Sequence, residues 1–276
     1  MPAAHTFFWK HTRFGLNRCR YNGFVQIEHY LERIRYHRAV RSDRESLIGL
    51  HIAQMLAVPF ENLDIALGRR IHLDEDSIWS KLIVENRGGF CYELNGLFAM
   101  VLKQLGFEIT YLNARVFGRD GKLGIDFDHL ALLVRIPNQE DLWLADVGFG
   151  DSFVEPLNFN NAGEQVQSLR SYRLEKTDRG NIVWQKNYDG GWERLYFFEL
   201  TPRRFPADYE GACLYHQTSP DSSFTRESII SLARSDGRIS LENGWVIETR
   251  NGRREKRPIS QEEYPALLKD YFGIVL

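Results

Sequence analysis

The 276-residue chain holds 35 basic and 37 acidic side chains; 43% of its residues are hydrophobic and 13% aromatic. That apolar content fills a core and excludes a disordered chain, and the near-balanced charge gives no electrostatic reason to expect nucleic acid. Three cysteines, Cys19, Cys91 and Cys213, are too few and too scattered for a disulfide framework or a Cys-rich zinc site, so a reducing cytosol and no metal are expected.

The opening stretch MPAAHTFFWKHTRFGLNRCRYNG lacks the apolar centre of a signal peptide, and no run approaches the ~20 apolar residues of a membrane span. A cytoplasmic protein without a membrane partner is expected. FVQIEHYLERI then places Tyr30, Leu31 and Ile34 on one helical face. SDRESLIGLHIAQML opens with Ser42 and Glu45 three apart, a capping-box signature, and carries apolar pairs at helical spacing. His51 falls on that apolar face and reads as a satisfied core histidine. A third helix is expected near Asp76, with Ile78, Leu82 and Ile83. The fourth begins at Cys91: Leu94, Leu97, Phe98, Val101, Leu102 and Leu105 follow the helical steps, and Gly106 fits the position after the C-cap.

From Phe107 the period changes to two. FEITYLNARVFG, HLALLVRI, LWLADVGFG, SYRLEK, NIVWQKNY and WERLYFFEL read as strands of a mostly antiparallel region. A short helix, ADYEGACLYHQ, and the loop TSPDSS follow. Two or three strands are expected in ESIISLARSDGRISLENGWVIET, a solvated turn at GRREKR, and a last helix in EEYPALLKDYF with Pro265 in its first turn and Gly273 at its end. The fold class is therefore α+β. Residues 1–106 form a helical unit, 107–205 a β-barrel-like unit, and 206–276 an interdomain helix with an α/β lid.

The stretch RGGFCYELNGLF sets Cys91 after two glycines at a helix start. The positive end of the helix dipole lowers a thiol's pKa there, whereas a buried cysteine can equally be a small apolar filler. A cysteine nucleophile needs a base, and the base an orienting acceptor. His129 opens a strand, and Asp146 lies in the apolar run LWLADVGFG, where an unpaired carboxylate is costly. If Pro137 to Glu140 form a four-residue loop, Ala131 stands opposite Asp146, and His129 becomes a diagonal neighbour of Asp146 on the same face. A five-residue loop puts the two on opposite faces. In the first register the chain can build a Cys-His-Asp acyl-transfer site.

RGGFCYELNGLF, VPFENLDI, DHLALLV, DVGFG and QTSPDSSF, in this order, resemble the arylamine N-acetyltransferases. The resemblance implies a helical first domain carrying the cysteine, a β-barrel-like domain carrying His and Asp, an α/β lid, and a core like that of papain-type cysteine proteases. It implies that acetyl-CoA, a co-substrate, acylates Cys91, with His129 as base and Asp146 as its orienter. An aromatic amine, arylhydrazine or N-hydroxyarylamine then takes the acetyl group. Phe60 and Phe149 match aromatic positions near the acceptor pocket, with core packing as the other reading. Gly148 and Gly150 would let backbone approach a ligand. Tyr215, Ser223 and Phe224 match CoA-contacting positions, although Asp221 sets a negative charge beside that phosphate path. Arg87 and Glu61 are expected to form an ion pair that holds PFENL against the cysteine loop. The same triad would also serve an amide synthase using another acyl donor, or a cysteine hydrolase. Cys19 and Cys213 read as structural.

Overall fold

The structure is a computed structural model that describes residues 26–276. Cys19 lies outside the described residues. The expected helices are found at Ile27–Arg33, Arg44–Ala57, Glu75–Trp79 (continued by a wider turn, Ser80–Val84) and Cys91–Gln104. The cap of the second is not the Ser42/Glu45 box: Asp43 is the N-cap, and its carboxylate accepts the Ser46 N–H at 2.8 Å. Aspartate and serine are equally good caps and stand side by side here, so spacing alone could not choose between them. The Arg33 guanidinium knots the first helix to the rest, donating to the carbonyls of Ala57, Leu82 and Arg87. Gly106 takes φ +92° just past the fourth helix, as expected of a position that a Cβ would strain.

The middle of the chain forms an eight-stranded antiparallel sheet, nearly closed on itself. Its order is Leu157–Asn158, Leu142–Ala145, His129–Arg135, Glu108–Val116, Trp192–Phe198, Gly180–Lys186, Ser171–Thr177, Gln165–Val166. The strand His129–Arg135 shows why the pieces hold together. Leu130, Leu132 and Val134 point to the Cys91–Gln104 helix and join the main core, whereas Ala131 and Leu133 point into the barrel. Each fully buried aliphatic side chain contributes about 1.5–3 kcal/mol. The helix is sandwiched so completely that every residue from Cys91 to Leu102 is buried.

A second, five-stranded sheet has the order Phe60–Glu61, Ile229–Arg234, Gly237–Glu242, Trp245–Arg250, Arg253–Pro258. Its first strand comes from the helical part of the chain, which brings Phe60 next to the C-terminal strands. Its last strand is the basic run expected to be a turn. Every residue of Arg253–Pro258 is exposed, so no apolar alternation marked it as a strand, and its charges suit an edge that must not recruit another chain. The helix Tyr264–Phe272 covers the sheet, with Pro265 in its first turn and Gly273 left-handed at its end.

Candidate active site

The paired glycines before Cys91 are required by crowding. A Cβ on Gly88 would stand 2.1 Å from the Pro59 carbonyl oxygen, and one on Gly89 would stand 2.7 Å from the Glu93 carboxylate. The flat RGG backbone therefore lies against PFEN, and the Glu61 N–H donates to the Gly89 carbonyl at 2.9 Å. Beneath it lies a buried charge cluster. Arg87 Nη2 reaches Glu61 at 2.8 Å and Asp64 at 3.1 Å, and Lys81 Nζ reaches Asp64 at 2.8 Å and Glu93 at 2.9 Å. The expected Arg87–Glu61 pair is part of it; Asp64, Lys81 and Glu93 were not anticipated. Glu93 also accepts the Phe90 N–H at 3.1 Å and so fixes the first turn of the Cys91 helix. Burial pushes the Glu93 carboxyl up to about 7 against the pull of Lys81.

Cys91 is the first residue of its helix and 3% exposed. The expected lowering by the helix start does not prevail. Burial pushes the thiol up; the Leu130 backbone N–H works against this, while the charges of Asp128 and Asp146 add to it. A standing thiolate therefore requires a partner that takes the proton.

The hairpin adopts the first of the two registers considered. Leu132 pairs with Ala145 and Arg135 with Leu142, which puts Asp146 opposite Ala131. His129 Nε2 lies 2.7 Å from Asp146 Oδ2, and both side chains are buried. The strand ends at Ala145, so Asp146 stands at its mouth rather than inside it. Its other oxygen, Oδ1, accepts the Asn95 amide at 2.9 Å and the Gly148 N–H at 3.0 Å. Burial alone would raise this carboxyl; His129 and these donors hold it below the usual carboxylate range. Because Asp146 occupies Nε2, Nδ1 is the remaining basic atom of His129.

Two further side chains hold Asp146, Asn95 through its carboxylate and His51 through its backbone N–H, and the sequence reading gave neither that role. Asn95, one turn after Cys91, also donates to the Leu130 carbonyl at 2.6 Å and accepts the Val147 N–H at 3.0 Å. It ties the helix, the His129 strand and the Asp146 loop together. His51 is the satisfied core histidine that was expected, and it does more. Its Nδ1–H donates to the Val154 carbonyl at 2.7 Å, and Nε2 accepts the Asp146 N–H at 3.1 Å. Burial lowers its pKa to about 4, so it is neutral at pH 7.

A cavity of about 510 Å³ opens over Cys91 and His129. Phe60, Gly148, Phe149, Gly150, Ser223 and Phe224 line it as well. Tyr215 is not among the lining residues; its ring packs edge-on against His216, centroids 5.5 Å apart. Gly148 is also demanded by packing: a Cβ there would stand 2.8 Å from Cys91 Cα and 2.7 Å from Asn95 Nδ2. Gly150 takes φ +90°. Asp221 is exposed and is not among the lining residues, two positions before Ser223, which is. Polar residues that the sequence reading did not single out also line the cavity. Asp151 is held between Arg170 at 3.2 Å and Arg238 at 3.1 Å, and Asp128 faces His216 at 3.2 Å.

The arrangement sets a buried sulfur and an imidazole, one of whose nitrogens is held by a carboxylate, on one cavity large enough for a small aromatic molecule. No helix of the described residues is long and apolar enough to cross a membrane. A family model described as N-acetyltransferase matches residues 43–276. The pineal gland isozyme NAT-10 arylamine N-acetyltransferase of Gallus gallus is 31% identical, with 91% of this chain and 95% of that protein covered. The proansamycin X synthase of Amycolatopsis mediterranei is 30% identical, with 88% and 95% covered. The structure of the Mycobacterium marinum arylamine N-acetyltransferase in complex with CoA superposes with a TM-score of 0.84 at 29% identity, covering 90% of this chain and 93% of that one.

Proposed function

Since the chain belongs to the arylamine N-acetyltransferase family, an acyltransferase family, we propose that it carries acetyl from acetyl-CoA to an aromatic amine or hydrazine by way of a thioester on Cys91. The observation that carries this reading is the buried 2.7 Å contact between His129 and Asp146 on a cavity shared with Cys91. His129 Nδ1 takes the thiol proton, and Asp146 stabilises the imidazolium. The sulfur attacks the acetyl carbonyl, and the CoA sulfur leaves with that proton. This internal transfer answers the unfavourable burial of Cys91: the charge pair forms together, and no isolated thiolate has to be sustained.

In the second half, the acceptor nitrogen attacks the thioester carbonyl and passes a proton to His129. The C–S bond then breaks, and Cys91 recovers its proton. The first N–H groups of the Cys91 helix have no intrahelical partner and can receive the oxyanion. Phe60 and Phe149 give the acceptor ring apolar faces, while Ser223 and Phe224 offer contacts to the CoA arm.

The test is peptide mass spectrometry after acetyl-CoA. One acetyl group on Cys91, discharged by a para-substituted aniline, supports the proposal. A chain that stays unmodified, or carries acetyl elsewhere, contradicts it. Similarity to proansamycin X synthase supports a second reading, amide synthesis from another acyl thioester. In that case Cys91 loads from a longer acyl thioester and not from acetyl-CoA.

A further inference from the structure

Asp128 has no task in the scheme above, yet it lines the same cavity as Cys91 and His129. Its cost is plain. A carboxylate whose charge pushes the Cys91 thiol up opposes the ionisation that the first half-reaction needs. Its position is also held by several contacts. Phe127 before it takes φ +60°, a conformation unusual for a bulky residue, and its N–H donates to Asn113 Oδ1 at 2.6 Å. The Tyr92 hydroxyl donates to the Phe127 carbonyl at 2.6 Å and contacts that of Asp128 at 3.3 Å. Asp128 Oδ2 accepts the Val116 N–H at 3.1 Å.

The other oxygen, Oδ1, is 3.2 Å from His216 Nε2. That nitrogen is buried without a well-directed hydrogen bond, so the contact leaves Oδ1 with accepting capacity. His216 is itself fixed. Its Nδ1 meets Ser222 Oγ at 3.1 Å, and its ring packs against Phe224 and Tyr92 with centroids 5.3 and 6.2 Å away. A strained turn and a buried histidine thus hold a carboxylate beside the nucleophile, next to the base.

We propose that Asp128, positioned by His216, accepts the N–H adjacent to the attacking nitrogen of hydrazine and hydrazide acceptors. The proposal rests on the thioester reading. In such an acceptor the terminal nitrogen forms the new N–C bond and gives its proton to His129. The C–S electrons return to Cys91, which takes the proton back from His129. The neighbouring nitrogen keeps its proton and donates a hydrogen bond to Asp128, which exchanges none. An aniline has an aromatic carbon at that place and gains nothing from the carboxylate. The contact assists only the second half-reaction, so Asp128 favours one half of the cycle and opposes the other.

The test isolates the acetylated enzyme after acetyl-CoA and follows its discharge by benzhydrazide and by 4-methoxyaniline. In Asp128→Asn the hydrazide-to-aniline ratio of discharge rates falls by about tenfold or more, the discrimination expected of one charge-assisted hydrogen bond. Loading from acetyl-CoA accelerates in the same variant. His216→Leu lowers the ratio less, and His216→Gln restores part of it. Should Asp128→Asn fail to fold, Asp128→Ser keeps an acceptor for the Val116 N–H and gives the same readout. A loaded enzyme whose ratio is unmoved, with both half-reactions slowed in parallel, overturns this inference alone and makes the pair a structural tie. A wild-type chain that never loads acetyl overturns the thioester reading, and this one with it.

Discussion

His51 and Glu93 should impose opposite pH dependences on stability that hide one another. His51 is fully buried and neutral, with a pKa of about 4. The unfolded chain takes up that proton near the ordinary 6.5, so the unfolded state binds more protons between these values, and stability is lost as pH falls through the window. Glu93, pushed up to about 7, behaves in the opposite sense. The folded state holds its proton first, so stability is gained as pH falls from 7 towards 4.5. Each gap is worth about 2–3 kcal/mol between pH 7 and pH 4.5. The wild-type contributions nearly cancel.

Removing either group exposes the other. Urea unfolding at pH 7 and pH 4.5 should show His51→Gln gaining about 2–3 kcal/mol relative to wild type on acidification, and Glu93→Gln losing a similar amount. The comparison of profiles removes every other titrating group that the three proteins share. Wild-type and His51→Gln curves that run parallel would refute the reasoning, since they would mean that His51 titrates alike folded and unfolded.

Other expectations are simpler. Gly148→Ala places a methyl group 2.8 Å from Cys91 Cα, so the nucleophile's turn or the Asp146 loop must shift. Acetyl transfer should fall by about a hundredfold, the cost of a misplacement near 1 Å, while circular dichroism remains native; unchanged turnover would show that the loop has room. Arg87→Met takes the guanidinium from Glu61 and Asp64 in a buried site and leaves Lys81, 2.8 Å from Asp64 but 4.0 Å from Glu61, as their shared cation, and thermal unfolding should report a loss of about 3–5 kcal/mol. A loss below about 1 kcal/mol, typical of an exposed pair, would contradict the buried cluster.

How far the sequence reveals the site depends on how local each relation is. The His129–Asp146 pairing is legible because a four-residue loop and the strand period of two connect the residues through one hairpin. Cys91 at the head of an apolar stripe is legible for the same kind of reason. Its ionisation is not, because the helix-start effect is local while burial and the Asp128 and Asp146 charges come from the assembled fold. Asn95 sits within the apolar stretch of its helix, and its partners Leu130, Asp146 and Val147 arrive from elsewhere in the chain. The Asp128–His216 contact joins the barrel to a later helix, with no periodicity relating the two. GRREKR fails as a strand prediction because both faces of that edge are wet. The charge cluster beneath RGG was half visible, as Arg87 with Glu61. Asp64, Lys81 and Glu93 complete it from separate segments that only the assembled fold brings together.

The central claim is that His129, held by Asp146, ionises a thiol that its burial keeps protonated. Alkylation of Cys91 by iodoacetamide at pH 7, followed by mass spectrometry in wild type and Asp146→Asn, tests it directly. Loss of the carboxylate removes a negative charge that raises the thiol pKa, so electrostatics alone would make the variant react faster. The account predicts the reverse, a slowing of about a hundredfold or more as His129 loses its orientation and its counter-charge. An equal or faster rate in Asp146→Asn would contradict it.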